Sequence, residues 1–163
     1  MKSFIESKFV KEVSDITSNM YRQGWDERNG GNISYLIDEE FVKEYFPVDK
    51  IIRDIPLGFK ADEITRNKYF LVTGTGKYFK NVIKDPEDNL GLVKIDNNGE
   101  VAHLLWGYRD GGKFTSEFPA HLMSHAVRLK ANPSNRVIMH THPTYTICMG
   151  ACLHNHSITW ISF

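Results

Sequence analysis

The sequence predicts an α/β domain whose central sheet is mixed or antiparallel. Helix-like and strand-like segments alternate along the 163 residues, and a chain of this length normally forms a single domain, here residues 1–163. Leu92–Ile95 and Val101–Trp106 flank Asp96-Asn97-Asn98-Gly99, which is typical of a β-hairpin turn. Because the strands of a hairpin pair antiparallel, at least part of the sheet must be antiparallel.

The first half of the chain contains one long helix and two strands. Apolar residues recur at roughly helical intervals over residues 4–23, which predicts an amphipathic helix that ends at Gly24. Apolar runs predict strands at 33–37 and 69–73. Residues 38–68 are charged and irregular, and their pattern predicts no defined element.

The second half of the chain is predicted to form the hairpin, a helix, a strand and a second helix. Thr115 and Ser116 suit the N-cap of a helix that begins at Glu117. Its apolar residues repeat at helical spacing and should face the core; they are Phe118, Leu122, Ala126 and Leu129. Residues 136–140 then read as a strand and residues 143–152 as a helix.

The composition excludes several classes of partner. Twenty basic and twenty acidic residues give zero net charge, without the basic excess that nucleic acids or anionic membranes attract. The N-terminus has no apolar signal segment, and no apolar run is long enough to span a bilayer. Cys148 and Cys152 are the only cysteines, as expected in a reducing compartment. We therefore expect a cytoplasmic protein that binds a small molecule.

His140-Thr141-His142 is the most informative motif. Residues i and i+2 of a strand point to the same side, and two convergent imidazoles form half of a typical zinc site. On spacing alone, two histidines alternating on a half-exposed strand explain the pattern about as well. Glu117 favours the metal site, because zinc and one carboxylate make a minimal acid–base centre. The alternative for Glu117 is an acid that complements the helix dipole.

Three turns are suited to binding an oxyanion. Gly30-Gly31-Asn32 and Gly74-Thr75-Gly76 allow close approach of backbone N–H groups, and Thr115-Ser116 lies at a helix N-terminus. The second turn is not a nucleotide-binding P-loop, because Leu71 occupies the position of its first glycine. Each turn alone is more often only a turn, but three together favour a phosphate ligand.

Two further histidine patterns are weaker candidates for metal binding. His121 and His125 are one helical turn apart, and a pair of core histidines is the favoured interpretation. His154-Asn155-His156 repeats the His-x-His pattern in a polar stretch that lacks a rigid strand. We therefore assign no metal to either pair.

Four motifs occur together in order: Asn29–Ser34, Thr73–Lys77, Thr115–His121 and His140–Pro143. In this combination the sequence resembles the class II aldolase/adducin family from about residue 8 onward. The resemblance implies a largely antiparallel sheet with helices on both faces. It also implies zinc-dependent retro-aldol cleavage of a ketose 1-phosphate. Trp25–Asn29 and Leu105–Gly107 favour members that cleave L-rhamnulose 1-phosphate to dihydroxyacetone phosphate and L-lactaldehyde.

The resemblance also implies roles for individual residues. His140 and His142 would bind zinc (Zn2+), and Glu117 would be the catalytic acid–base group. The implied phosphate-binding residues are Asn29, Gly31, Asn32, Thr75, Gly76, Thr115 and Ser116.

Members of this family take a third zinc-binding histidine from a segment well beyond His142 and assemble as homotetramers. We therefore expect this chain to lack the C-terminal part of the family domain and to have little activity alone. Two alternatives remain open at this stage, namely a pentulose-phosphate 4-epimerase of the same family and a non-catalytic scaffold domain like the adducin head.

Overall fold

The computed structural model describes residues 2–47 and 50–152. The strands in these residues are β1 (Asn32–Ile37), β2 (Arg53–Pro56), β3 (Tyr69–Thr73), β4 (Leu90–Ile95), β5 (Val101–Gly107) and β6 (Val137–His140). The helices are α1 (Lys8–Arg22), α2 (Glu39–Lys43), α3 (Phe79–Val82), α4 (Pro86–Asn89), α5 (Phe118–Ala131) and α6 (Thr144–Cys152). No helix in the described part of the chain is long and apolar enough to cross a membrane.

The six strands form one sheet in the order β2-β5-β4-β3-β1-β6. Every pair of neighbouring strands runs antiparallel, including the β4–β5 hairpin. The strands β1 and β3 are paired on both edges and buried on both faces, and burial on both faces explains why their apolar runs are nearly continuous. The predicted α/β class with a largely antiparallel sheet is confirmed.

The two faces of the sheet are covered by different helices. Leu36 and Phe70 pack with Phe118 and Leu122 of α5 on one face. The neighbouring strand residues point the opposite way and pack with the first helix and the short helices; this second cluster includes Ile37, Leu71, Phe9, Val10, Val13, Val42 and Val82. Because strand side chains alternate, the strands β1, β3, β4 and β5 each contribute to both clusters. Helices therefore lie on both faces, as expected.

The register of β1 determines which residues meet at one end of the sheet. Asn32 lies opposite His140 of β6, and Ser34 lies opposite Val72 of β3. Asn32 and Ser34 are two residues apart and share the face that is covered by α5. The start of β1 therefore lies between the end of β6 and the start of α5.

The structure corrects several predicted boundaries. The first helix is preceded by a separate 3-10 turn at Phe4–Glu6, because Ser7 caps α1 and interrupts the helix. The irregular segment 38–68 contains α2 and β2, which are too short to produce a periodic pattern. The predicted cap at Thr115-Ser116 is wrong, since Glu117 is the N-cap of α5 and the Thr115 hydroxyl accepts the N–H of Glu117 itself at 3.4 Å, before the helix begins.

Ser7→Ala should lower the free energy of unfolding by about 1 kcal/mol, a typical cost of losing an N-cap. The Ser7 hydroxyl accepts the Val10 N–H at 3.3 Å at the start of α1. Ser3→Ala is the matched control, because Ser3 precedes the 3-10 turn without a side-chain capping bond. Urea denaturation of both variants measures the difference, and equal stability would show that the Ser7 cap contributes nothing.

Candidate active site

The three predicted oxyanion-binding turns lie together at one end of the sheet. The Thr73 hydroxyl accepts the Ile33 N–H at 3.0 Å, which joins the end of β3 to the start of β1. The Thr75 N–H donates to the Lys113 carbonyl and the Thr115 N–H to the Thr73 carbonyl, each at 2.9 Å. The turn after β3 and the segment before α5 are therefore held side by side, next to the first residues of β1.

A buried carboxylate, Asp26, connects two of these turns. One of its oxygens accepts the Gly31 N–H at 3.0 Å, and the other accepts the Phe79 N–H at 2.9 Å. Burial raises the pKa of the Asp26 carboxyl, and the two N–H donors oppose that shift. The sequence pattern does not reveal the role of Asp26, because an acid before a glycine turn follows no periodic pattern. Its position four residues before Gly30 is the one signal that the sequence offers.

The glycine pair allows close packing on both sides of its turn. A Cβ atom at Gly30 would lie 2.6 Å from the His142 ring, and one at Gly31 would lie 2.5 Å from the Phe79 ring. The His142 N–H also donates to the Trp25 carbonyl at 2.9 Å. The turn before β1 therefore supports His142 directly, and any side chain at Gly30 would displace that imidazole.

The two histidines of the His-x-His motif converge. The Nε2 atoms of His140 and His142 are 2.8 Å apart, and the rings meet edge to face at 83°. Two nitrogen ligands of a tetrahedral zinc ion are about 3.3 Å apart, so a small opening of this pair would accommodate the ion. Two imidazoles are suitable donors for zinc.

Glu117 lies on the other side of the His140 ring. Its carboxylate is 3.8 Å from Nδ1 of His140, whereas His142 faces Nε2. The Asn32 side-chain N–H donates to the same Glu117 oxygen at 3.0 Å. The other amide atom of Asn32, its oxygen, is buried and has no hydrogen-bond partner among the described residues. Asn32, Glu117 and His140 thus form one polar cluster at the start of β1.

His140 and His142 provide two convergent metal donors, which is not a complete ligand set. Within residues 2–47 and 50–152, no three His, Cys, Asp or Glu side chains are grouped so that they could hold a metal ion. Cys148 is exposed and free. His154 and His156 lie outside the described residues. The donor chemistry of His140 and His142 fits zinc, and a third protein ligand would have to come from elsewhere.

The predicted phosphate-binding residues differ in what they can still offer a ligand. The backbone N–H groups of Gly31, Thr75 and Thr115 already donate within the protein, so the two threonines have their hydroxyls left. Asn29 and Ser116 are exposed. Gly76 is exposed and has a φ of +70°, a left-handed conformation that favours glycine.

His121 and His125 form a buried pair below this cluster. Both rings contact the Ser34 hydroxyl, through Nδ1 of His121 and Nε2 of His125, each at 2.8 Å. Burial lowers the pKa of His121 to about 4 and that of His125 to about 3. Their burial confirms the interpretation of a core histidine pair.

Asp26→Asn should lower the free energy of unfolding by about 1–3 kcal/mol, the usual cost of leaving a buried donor without its acceptor. An asparagine has one carbonyl oxygen, so it can accept only one of the two N–H groups that Asp26 bonds at Gly31 and Phe79. Glu27→Gln removes a neighbouring exposed charge and is the control. Urea denaturation that finds the two variants equally stable would contradict the role of Asp26 as a link between the turns.

Acid should destabilise the protein through the buried histidine pair. Below the ordinary pKa of 6.5, the unfolded chain binds protons that the native rings exclude down to about 4 and 3. This contribution to the free energy of unfolding is therefore complete above pH 6.5. It is lost as the pH falls from 6.5 toward the native pKa values of about 4 and about 3.

Urea denaturation between about pH 8 and about pH 5 measures this slope. Ser34→Ala/His121→Leu/His125→Leu should flatten it, whereas Thr17→Val, which removes a buried hydroxyl and no titratable group, should leave the slope as in the wild type. An unchanged slope in the triple variant would contradict the assignment.

Comparison with known proteins assigns this arrangement to a family. Residues 11–163 match the family described as "Class II Aldolase and Adducin N-terminal domain". The rhamnulose-1-phosphate aldolase of Listeria innocua is 55% identical over 148 residues, which cover 91% of this chain and 54% of the relative. The enzyme of the same name from Enterococcus faecalis is 46% identical over 145 residues, or 89% of this chain and 52% of the relative.

A solved structure shares the fold. The sugar-phosphate aldolase from Thermotoga maritima superposes with a TM-score of 0.73 and 31% identity, covering 87% of this chain and 56% of that protein. The chain spans about half the length of the curated relatives that it matches. On the match over residues 11–163 and the shared fold, the chain belongs to the class II aldolase and adducin family.

Proposed function

We propose that this chain is a class II aldolase domain that takes part in the zinc-dependent cleavage of L-rhamnulose 1-phosphate to dihydroxyacetone phosphate and L-lactaldehyde. The observation that carries the proposal is the contact of Glu117 with Asn32 at 3.0 Å and its approach to His140 at 3.8 Å. It supports the proposal, because a carboxylate that could act as a base lies next to one of two imidazoles that could bind zinc. The names of the Listeria and Enterococcus relatives support the choice of rhamnulose 1-phosphate.

In this proposal His140 and His142, whose Nε2 atoms converge, would hold the zinc ion. When bound, zinc supplies a Lewis acid that stabilises negative charge developing on the ketose oxygens. The family resemblance implies a third histidine ligand from outside the described residues, and a homotetramer as the functional unit.

Glu117 is the proposed acid–base residue. Its carboxylate is half-exposed and therefore accessible to a substrate. The N–H donated by Asn32 holds one carboxylate oxygen in place and leaves the other free to exchange a proton. A carboxylate so placed can move a proton at the carbon next to the ketose carbonyl, and such general acid–base steps typically contribute about 10²- to 10⁴-fold to the rate.

The phosphate group of the substrate is proposed to bind the three turns beside Glu117. The hydroxyls of Thr75, Thr115 and Ser116 are suitable donors, and the N-terminus of α5 adds a favourable dipole. Asn29, Gly31, Asn32 and Gly76 complete the proposed pocket by supplying amides or room for close approach. A local set of neutral donors explains how a protein with zero net charge could bind a dianion.

An activity assay tests the reaction. The chain fused to the C-terminal half of the Listeria rhamnulose-1-phosphate aldolase should, with zinc, release dihydroxyacetone phosphate from L-rhamnulose 1-phosphate. Glu117→Gln should lower kcat by about 10²- to 10⁴-fold, the typical worth of a general base, without loss of zinc. His140→Asn should lower the zinc content, whereas His103→Asn should change neither quantity.

Two outcomes would contradict the proposal. If Glu117→Gln leaves kcat unchanged, Glu117 is not the base. If the fusion protein converts an added pentulose phosphate to its epimer and releases no aldehyde, it is a 4-epimerase and not an aldolase.

Binding of inorganic phosphate tests the proposed pocket in the chain itself. Ser116→Asp should weaken binding at least tenfold, because a carboxylate at this exposed position repels the anion without touching the Asn32–Glu117 contact. Ser134→Asp introduces the same charge in the exposed loop before β6 and is the control. Equal affinities of the two variants by calorimetric titration would show that the pocket is wrongly placed.

A further inference from the structure

We propose that Ser34, His121 and His125 form a buried positioning group that fixes α5 along β1 and thereby sets the location of the Glu117 carboxylate. This inference rests on the proposed function in one respect, namely that Glu117 is the acid–base residue. The group contains two titratable side chains that no step of the proposed reaction uses.

The spacings of the strand and the helix match. Asn32 and Ser34 are two residues apart in β1, a separation of about 6.6–6.8 Å on one face. Glu117, His121 and His125 follow one another at four-residue intervals, a rise of about 6 Å each. Asn32 therefore meets Glu117 at 3.0 Å, while the next polar strand residue, Ser34, lies 2.8 Å from both histidines.

The histidine–serine contacts lie inside an apolar cluster. Ser34 and His125 are 0% exposed and His121 is 3% exposed. The ring of His125 packs against Phe70 with centroids 5.0 Å apart. Apolar contacts are not directional, so by themselves they oppose the sliding of a helix along a sheet less sharply than hydrogen bonds do. Hydrogen bonds act over a narrow range of distance and angle, so the pair of contacts at Ser34 opposes that sliding.

A count of the hydrogen-bond donors and acceptors in this group indicates that a contribution to stability does not by itself explain why these polar residues are buried here. The single hydroxyl proton of Ser34 can serve one ring, so the other ring must donate its own N–H to the Ser34 oxygen. Nε2 of His121 and Nδ1 of His125 remain buried without a partner among the described residues. Replacing such a group with apolar side chains of similar volume is often neutral or stabilising.

The consequence concerns the start of α5. Glu117 is the N-cap residue of this helix and forms no capping bond with its own side chain. Among the described residues, Asn32 is the one side chain that hydrogen-bonds its carboxylate. A displacement of α5 along β1 would separate Glu117 from Asn32 and His140 together, and a 1 Å error in a catalytic group can cost about 10²-fold in rate.

The test measures the Asn32–Glu117 contact in the chain itself, without metal or substrate. NMR cross-peaks between the Asn32 side-chain amide protons and the Glu117 methylene protons should be strong in the wild type. In Ser34→Ala/His121→Leu/His125→Leu the protein should remain folded and those cross-peaks should weaken severalfold. Thr17→Val removes a buried hydroxyl that bonds within α1 on the other face of the sheet, and should leave them unchanged.

Ser34→Ala alone is the second variant, in case the triple variant does not fold. It should retain the fold and weaken the same cross-peaks. Wild-type intensity in either folded variant would overturn the proposal, and so would absence of the cross-peaks from the wild type.

The fusion protein separates this proposal from the proposed function. There, the triple variant should lower kcat far more than it raises KM. Loss of the cross-peaks together with an inactive wild-type fusion would support the positioning group and reject the aldolase assignment. Cross-peaks that are retained in the triple variant, together with an active wild-type fusion, would reject the positioning group and support the aldolase assignment.

Discussion

The first residues of β1 are the constraint on which the candidate site depends. Antiparallel pairing places Asn32 opposite His140 of β6, and the face of β1 that carries Asn32 and Ser34 is covered by α5. A shift of one residue in the register of β1 would turn Asn32 to the opposite face of the sheet. The meeting of Asn32, Glu117 and His140 is therefore a property of strand register and helix placement, and not of the local sequence around any one of them.

Backbone contacts connect this cluster to the turns around it. Asp26 bonds the N–H groups of Gly31 and Phe79, and His142 bonds the Trp25 carbonyl. The proposed metal pair and the proposed phosphate pocket thus share the glycine turn as a common support. We expect a change at this turn to affect both, because the His142 ring packs against Gly30 and the proposed phosphate-binding residues Gly31 and Asn32 follow it in the chain.

Much of the fold and of the site follows from sequence patterns, for identifiable reasons. Strand and helix periods marked β1, β3, the β4–β5 hairpin and α5 because these elements are long or bounded by clear turn residues. The short elements β2, α2 and α3 were not predicted, because segments of four or five residues show no clear period. The roles of Asp26 and Ser34 were not predicted, because their hydrogen-bond partners lie 53 and up to 91 residues away in sequence. A single sequence without its fold does not reveal such pairings.

The most direct test of the central claim is the location of bound zinc. Anomalous diffraction at the zinc edge, from crystals of the chain grown with zinc, should show a peak within coordination distance of Nε2 of both His140 and His142. Glu117 should lie across the His140 ring from the peak and remain hydrogen-bonded to Asn32. Zinc bound elsewhere, for example at the exposed Cys148, with the two imidazoles empty, would contradict the account.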